Sequence, residues 1–192
     1  MSAATFQSLM AQLVIDPAFC QRVQASGFPV DADLDARERQ RLWHIAASPG
    51  LDINHTLHKG FRFGKLRALL PLTCALLQGP RLHTAVARFW ALHPPRSFYF
   101  LPEAIEFCDF LLAQPTHSKY LHEVVGFERA HLELQRARTD EPPPQTVHFQ
   151  HDPCKLLGPL AQGKVPLGVP LQTCTAVGTL DGQGQAQWVL QS

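Results

Sequence analysis

The sequence lacks the features that mark membrane proteins and several enzyme classes. No uninterrupted apolar run reaches the length of about 18 residues that a membrane-spanning helix needs. The GxSxG, P-loop and GxGxxG motifs of hydrolases, nucleotide-binding proteins and dinucleotide-binding proteins are missing. The segment 60–65 (GFRFGK) has the wrong spacing for a phosphate-binding loop and follows a predicted turn instead of a strand. We therefore expect a chain that is not an enzyme by itself and does not cross a membrane.

The cysteines are scattered, odd in number and show no paired spacing. No CxxC motif is present, and the first 16 residues lack the basic start of a secretory signal and favour an amphipathic helix. An odd number of thiols without a secretory signal predicts reduced cysteines in a cytoplasmic protein. The five cysteines are Cys20, Cys74, Cys108, Cys154 and Cys174.

Acidic residues are absent between positions 53 and 102, although the whole chain carries a net charge of only +1. That segment carries +7, residues 1–52 carry −2, residues 103–144 carry −4, and residues 145–192 are neutral. One interpretation is a set of helical hairpins whose charged faces neutralise one another. The other is a basic surface that docks an acidic partner or peptide.

Proline positions and apolar spacing predict an α+β protein, mainly an α-helical bundle followed by a small C-terminal antiparallel β-sheet. Residues 1–138 form the predicted α-helical domain. Asp16-Pro17 is typical of a helix start, Pro71 indicates a break or a new helix, and Pro49-Gly50 indicates a stop. A short helix or turn is expected over 51–58, before a helical segment over 61–77.

The composition changes after a Pro-rich linker at 139–144 (TDEPPP), which cannot continue a helix. Residues 145–192 form the predicted small β-rich C-terminal module, with strands at 146–150, 171–180 and 186–190 and a turn at 181–184. Three strands are too few to be stable alone, so we expect the sheet to pack on the bundle. Its outer strands leave open edges that either accept a peptide strand or are covered by the bundle.

Metal-ligand patterns are weak, and no cofactor is expected on this chain. The best pattern is His148-x-x-His151-x-x-Cys154, with Cys174 as a fourth ligand, but it crosses a predicted turn. Two other patterns lack partners from a second segment, and surface or core-edge histidines are the simpler interpretation. They are His55-x-x-His58 and the helical set His122, Glu123, Glu128 and His131.

The segment 93–100 (HPPRSFYF) has the composition of a recognition loop. Two prolines stiffen it, and it carries one arginine and three aromatic residues, the side chains that dominate binding hot spots. The simpler interpretation is a tight connection between helices whose aromatic side chains enter the core.

Several stretches together resemble a known family. They are FRFGKLRALLPLTCALL, a helix that ends in LHPPRS, LPEAIEFCDFLLAQ, and YLHEVVGFERAHLELQRA. Residues 61–138 resemble in this way the helical domain of small partner proteins of peptide-modifying metalloenzymes, a domain sometimes labelled DNA-binding. The whole layout, a helical body with a short β-rich C-terminus, is similar to that of the methanobactin biosynthesis cassette C family.

The resemblance implies a non-catalytic partner subunit. Such proteins pair as heterodimers with an iron-dependent TIM-barrel oxidase, whose irons lie on the oxidase. The complex converts cysteines of a ribosomal precursor peptide to oxazolone–thioamide groups of a copper chelator, and the partner subunit binds the leader of that peptide. A DNA-binding transcriptional regulator is the alternative, although nucleic acid is not an expected partner because no recognition helix is evident.

These implications assign two sets of residues. Pro95, Arg96, Phe98 and Tyr99 are expected to face the oxidase, supported by the acidic helix around Glu123 and Glu128. The leader is expected to add to the sheet along Thr146, Val147, His148, Phe149 and Gln150, or along Gln187, Trp188, Val189 and Leu190.

Overall fold

The computed structural model describes residues 3–94, 100–115, 118–137 and 142–191. Within them the chain forms helices followed by a three-stranded antiparallel sheet, which confirms the predicted α+β class. The helices are α1 (Ala3–Ile15), α2 (Pro17–Ser26), α3 (Ala36–Ala46), α4 (Pro49–Leu69), α5 (Pro71–Leu77), α6 (Gly79–Leu92), α7 (Phe100–Leu112), α8 (Leu121–Arg136) and α9 (Pro153–Ala161). The strands are β1 (Gln145–His151), β2 (Leu171–Leu180) and β3 (Ala186–Gln191). No helix in the described ranges is both long and apolar enough to span a bilayer.

The first of two compact units contains the described residues up to Gly64 together with His93 and Pro94. Its apolar core is formed by side chains from α1, α2, α3 and the start of α4, among them Leu13, Val23 and Leu42. The Asp16 carboxylate accepts hydrogen bonds from the backbone N–H groups of residues 18 and 19 and so begins α2, as the Asp-Pro pair predicts.

The second unit contains residues 65–92 and the described residues from Phe100 onward. Helix α8 contacts α7, α5 and all three strands, so it lies at the centre of this unit. Phe89 of α6 packs on Phe107 and Phe110 of α7, with ring centroids 5.2 Å and 5.6 Å apart. The sheet therefore shares its core with the helices around it, as its small size predicts.

The sheet has the order β1–β2–β3, with antiparallel pairing throughout and a register irregularity between Phe149 and His151. Its inner face carries Val147, Phe149 and Ala176, which are buried. Alternate residues such as His148 lie on the exposed outer face. The predicted turn forms at Asp181, whose carboxylate accepts the backbone N–H groups of residues 183 and 185.

The structure differs from the sequence predictions in two helices. Helix α4 runs without a break from Pro49 to Leu69, so the expected separate short helix over 51–58 is wrong. Helix α9 lies between β1 and β2 and was not predicted, although Asp152-Pro153 repeats the Asp-Pro helix start seen at α2. The two compact units divide within α4, at Gly64. The predicted linker 139–144 stays a prediction, because its residues 139–141 lie outside the described ranges.

Gln78 holds a strained backbone at the junction of α5 and α6. It is the one non-glycine residue with a positive φ in the described chain, at φ 42° and ψ 156°. This combination costs a residue with a Cβ of the order of 1–3 kcal/mol. The backbone N–H of Gln78 donates to Cys74 O and its side-chain amide donates to Gly163 O at 3.4 Å, so the surrounding contacts hold it there.

We expect Gln78→Gly to raise the free energy of unfolding by about 1 kcal/mol, because the relief of strain exceeds the added chain entropy of glycine. Gln78→Ala is the matched control, since it removes the same amide and keeps the strain. Urea denaturation of both variants measures the difference. A Gly variant no more stable than the Ala variant would show that this backbone is not strained.

Candidate functional site

The residues predicted to bind a peptide lie on the two outer strands of the sheet. In β1, Thr146, His148 and Gln150 are exposed, whereas Val147 and Phe149 are buried on the inner face. In β3, the four predicted residues are more accessible: Trp188 is partly buried, and Gln187, Val189 and Leu190 are exposed. The two strands thus offer different surfaces to a ligand.

Trp188 anchors β3 to the rest of the unit from the inner face of the sheet. Its ring lies 4.8 Å from that of Phe127 on α8, and its indole N–H donates to His131 Nδ1 at 3.4 Å. A Cβ built at Gly178, the residue opposite on β2, would lie only 2.7 Å from the Trp188 ring. Glycine at this position therefore makes the room in which the indole lies.

The outer edge of β3 presents backbone groups that no described strand pairs. Asp181 N donates to Gln185 O at 2.9 Å, and hydrogen bonds alternate along an antiparallel ladder from that point. This alternation directs the N–H groups of residues 187, 189 and 191 toward β2 and those of Trp188 and Leu190 outward. Val189 and Leu190 are 62% and 48% exposed, so apolar side chains accompany the open edge.

The C-terminal end of β1 is occupied by a carboxylate from α8. Glu123 accepts hydrogen bonds from Gln150 N at 2.9 Å, His151 N at 3.1 Å and His151 Nδ1 at 2.6 Å. Glu123 and His151 are both buried. Two backbone amides of β1 are thus already bound inside the chain, which leaves less of this strand for an added peptide.

A second buried carboxylate of α8 binds the start of α5. Glu128 accepts hydrogen bonds from Leu72 N at 2.7 Å and Thr73 N at 2.8 Å, in the first turn of that helix. Leu70, the N-cap residue of α5, offers no side-chain acceptor, so the cap is supplied by Glu128, which lies 56 positions after Leu72 in the chain. Burial raises the pKa of Glu128 to about 7, although the hydrogen bonds to the backbone at 72 and 73 oppose the rise.

The residues predicted to contact an oxidase are not brought together by the described structure. Pro95, Arg96, Phe98 and Tyr99 lie outside the described residues. Glu123 and Glu128 are 8% and 4% exposed and are hydrogen-bonded within the chain, so the expectation that they support an interface directly needs correction. Both residues lie on the apolar face of α8, which can be recognised from the sequence. Carboxylates in such positions are typically buried and hydrogen-bonded within the protein.

The predicted metal-ligand patterns are separated by the sheet. His148 points to the outer face, with its Nδ1 3.1 Å from Thr175 Oγ1, whereas His151 is buried on the inner side against Glu123. Across the described ranges no three His, Cys, Asp or Glu side chains are grouped as metal ligands. The ring Nε2 of His151 is buried and has no hydrogen-bond partner among the described residues.

The thiols show no sign of activation. All five cysteines are free, and only Cys154 is exposed. Burial raises the pKa of Cys74 to about 12 and raises that of Cys108 still further, and in both cases the nearby Glu128 adds to the rise. These two side chains therefore remain protonated and act as small apolar groups of the core.

No protein-family model matches this chain, and no curated protein sequence matches it. Among the sites predicted from the sequence, the edge of β3 is the one where the described structure leaves backbone N–H groups and apolar side chains accessible to a ligand.

We expect the free energy of unfolding to depend on pH through Glu128. Its pKa is higher in the folded chain, about 7, than its ordinary value of 4.5, so the folded state holds a proton that the unfolded chain has released between these values. The stabilisation is complete below pH 4.5 and is lost as the pH rises through 7. It amounts to about 3 kcal/mol.

Glu128→Gln removes this titration, and urea denaturation from pH 5 to pH 8 measures its effect. The unfolding free energy of wild type should fall relative to that of Glu128→Gln as the pH rises across that window, and the difference should level off above it. Glu106→Gln, on the exposed side of α7, is the control and should follow the wild-type profile. Parallel profiles for the wild type and Glu128→Gln would contradict the raised pKa.

Proposed function

We propose that this chain is a non-catalytic subunit that binds the leader of a ribosomal precursor peptide and presents it to an iron-dependent TIM-barrel oxidase. In this proposal the chain forms a heterodimer with the oxidase, which carries the iron and converts cysteines of the precursor to oxazolone–thioamide groups in methanobactin biosynthesis. The observation that carries the proposal is the open edge of β3, in a sheet that packs on α8. The resemblance of residues 61–138 to partner proteins of peptide-modifying enzymes supplies the class of reaction.

The β3 edge suits an extended peptide. The outward N–H groups of Trp188 and Leu190 can donate to carbonyl groups of an added strand, as in other cases of β-strand addition. The exposed side chains of Val189 and Leu190 can cover apolar residues of that strand. Main-chain hydrogen bonds supply affinity with little dependence on sequence, whereas the side chains select the register.

The same reasoning favours β3 over β1 as the leader strand. Glu123 already holds the backbone amides of Gln150 and His151, and breaking these bonds would take two of its three donors from a buried carboxylate. Opening β3 to a ligand requires no such loss. Of the two sets of predicted peptide-binding residues, Gln187–Leu190 is the one that we assign to the leader.

The segment around Arg96 is our proposed docking surface for the oxidase. It combines prolines, an arginine and aromatic residues, which is typical of interface anchors. The buried Glu123 and Glu128 have no direct part in this contact. They hold α8 against α5 and β1.

We expect Leu190→Pro to weaken binding of the leader about tenfold. The proline removes one outward N–H group, and its ring hinders the approach of an added strand at that position. Since the N–H of residue 190 points away from β2, the β2–β3 ladder remains intact. Titration of the fluorescently labelled leader peptide against the full chain, followed by fluorescence anisotropy, measures the affinity.

Leu190→Val is the matched control, because it shortens the same side chain and keeps the N–H. We expect its affinity to stay within about twofold of wild type. Equal affinities of wild type and Leu190→Pro would mean that the leader does not add to this edge.

We expect Arg96→Glu to abolish copurification of the chain with its coexpressed oxidase, since a reversed charge in a buried interface is left unpaired. Arg37→Glu, an exposed site on α3, is the control for the change in net charge. A stoichiometric complex with the Arg96 variant would exclude this segment from the interface.

A further inference from the structure

A groove between α5 and α6 has the chemistry of a second binding site. It encloses about 530 Å³. Its apolar walls include Leu76, Leu77 and Ala85, and α6 adds Arg81, Thr84 and Arg88, which are exposed. The predicted interfaces at residues 95–99 and at β3 do not include any of these residues.

The two arginines carry positive charge that their surroundings do not cancel. Within the described chain no carboxylate forms an ion pair with Arg81 or Arg88. Arg88 donates a hydrogen bond to Gln114 Oε1 at 3.0 Å, which orients the guanidinium but leaves its charge in place. Both residues belong to the segment 53–102, which contains no Asp or Glu.

The spacing of the arginines defines the ligand. They are seven residues apart on α6, which corresponds to a rise of about 10 Å along the helix. A peptide in the polyproline II conformation covers about the same distance in three residues. Because that conformation has three residues per turn, its residues i and i+3 lie on the same side. Two carboxylates at positions i and i+3 of such a peptide would reach both guanidinium groups, and the apolar residues between them would cover the leucines of the groove.

We propose that the α5–α6 groove, formed by Leu76, Leu77, Arg81, Thr84, Ala85 and Arg88, binds an acidic and apolar peptide segment of a partner protein. The proposal goes beyond leader binding at β3 and does not depend on it. A guanidinium group recognises a carboxylate through charge-assisted hydrogen bonds, and the apolar walls add desolvated contact area.

The groove continues toward the α5–α6 junction, so a longer peptide can extend in that direction. An adjoining cavity of about 390 Å³ shares Leu76, Leu77 and Arg81 and is bordered by Gln78 and Val165. The strained backbone of Gln78 lies at this end, and such strain is common at ligand-binding positions. Val165 is 42% exposed, so this extension also offers apolar surface.

A peptide fits these observations better than a nucleic acid. Duplex binding relies on many phosphate contacts spread along a face. The groove instead offers two arginines beside buried or half-buried leucines, and apolar walls give little advantage to a phosphate backbone. The expected ligand therefore pairs a few carboxylates with apolar side chains.

The test uses the full chain and two fluorescein-labelled 12-residue peptides. The first carries Glu at positions 5 and 8 with two leucines between them, and the second has Gln at both positions. We expect the Gln peptide to bind about tenfold more weakly, and Arg81→Glu and Arg88→Glu each to weaken binding of the Glu peptide by a similar factor. Fluorescence anisotropy measures all affinities, and circular dichroism confirms that the variants fold.

Lys59→Glu is the matched control, because it reverses an exposed charge of the same basic segment outside the groove; its affinity should stay within about twofold of wild type. Thr84→Trp should block binding by filling the groove. Leu190→Pro should leave binding of the Glu peptide unchanged, which separates this site from the β3 edge. Equal weakening by Lys59→Glu and Arg81→Glu, equal binding of the two peptides, or displacement of the Glu peptide by equimolar duplex DNA would overturn the proposal.

Discussion

The second unit depends on two carboxylates buried in one helix. A buried carboxylate is costly unless donors surround it, so Glu123 and Glu128 require that β1 and the start of α5 lie where they do. They occupy positions i and i+5 of α8 and bind different elements, one a strand and the other a helix end. Displacement of α8 would leave two buried carboxyl groups without their backbone donors, so these hydrogen bonds add to apolar packing in fixing the arrangement.

The same constraint makes the two outer strands unequal. Strand β1 is tied to α8 through the hydrogen bonds of Glu123, and its last residue is buried. Strand β3 is held by β2 and by the indole of Trp188, which lies over Gly178, while its backbone edge stays open. An edge strand with exposed apolar side chains is a hazard for self-association unless something covers it. A peptide strand that binds there would supply the cover, which is why the exposed residues of β3 favour a binding role.

Local rules predicted the parts of this fold that are locally determined. The strand at 171–180 has the predicted bounds, and Pro71 begins α5, because turn residues and proline act on their immediate neighbours. Helix α9 was missed because it is short and interrupts a β-rich segment. The uninterrupted course of α4 past Gly60 was missed because a glycine weakens a helix without necessarily ending it.

The functions of Glu123 and Glu128 could not be predicted, because their partners lie far away in sequence. Nothing near Glu128 indicates that it caps a helix whose own N-cap residue is a leucine. The basic segment 53–102, in contrast, was evident from composition. Whether its charge is neutralised within the chain or is left for a partner depends on where the acidic residues lie. Of the acidic residues on α8, Glu123 and Glu128 face inward, and Glu133 pairs with Arg129 and Arg136. The acidic residues of α8 are therefore bound close to their own helix, and within the described ranges no carboxylate pairs with the guanidinium groups of the α5–α6 groove.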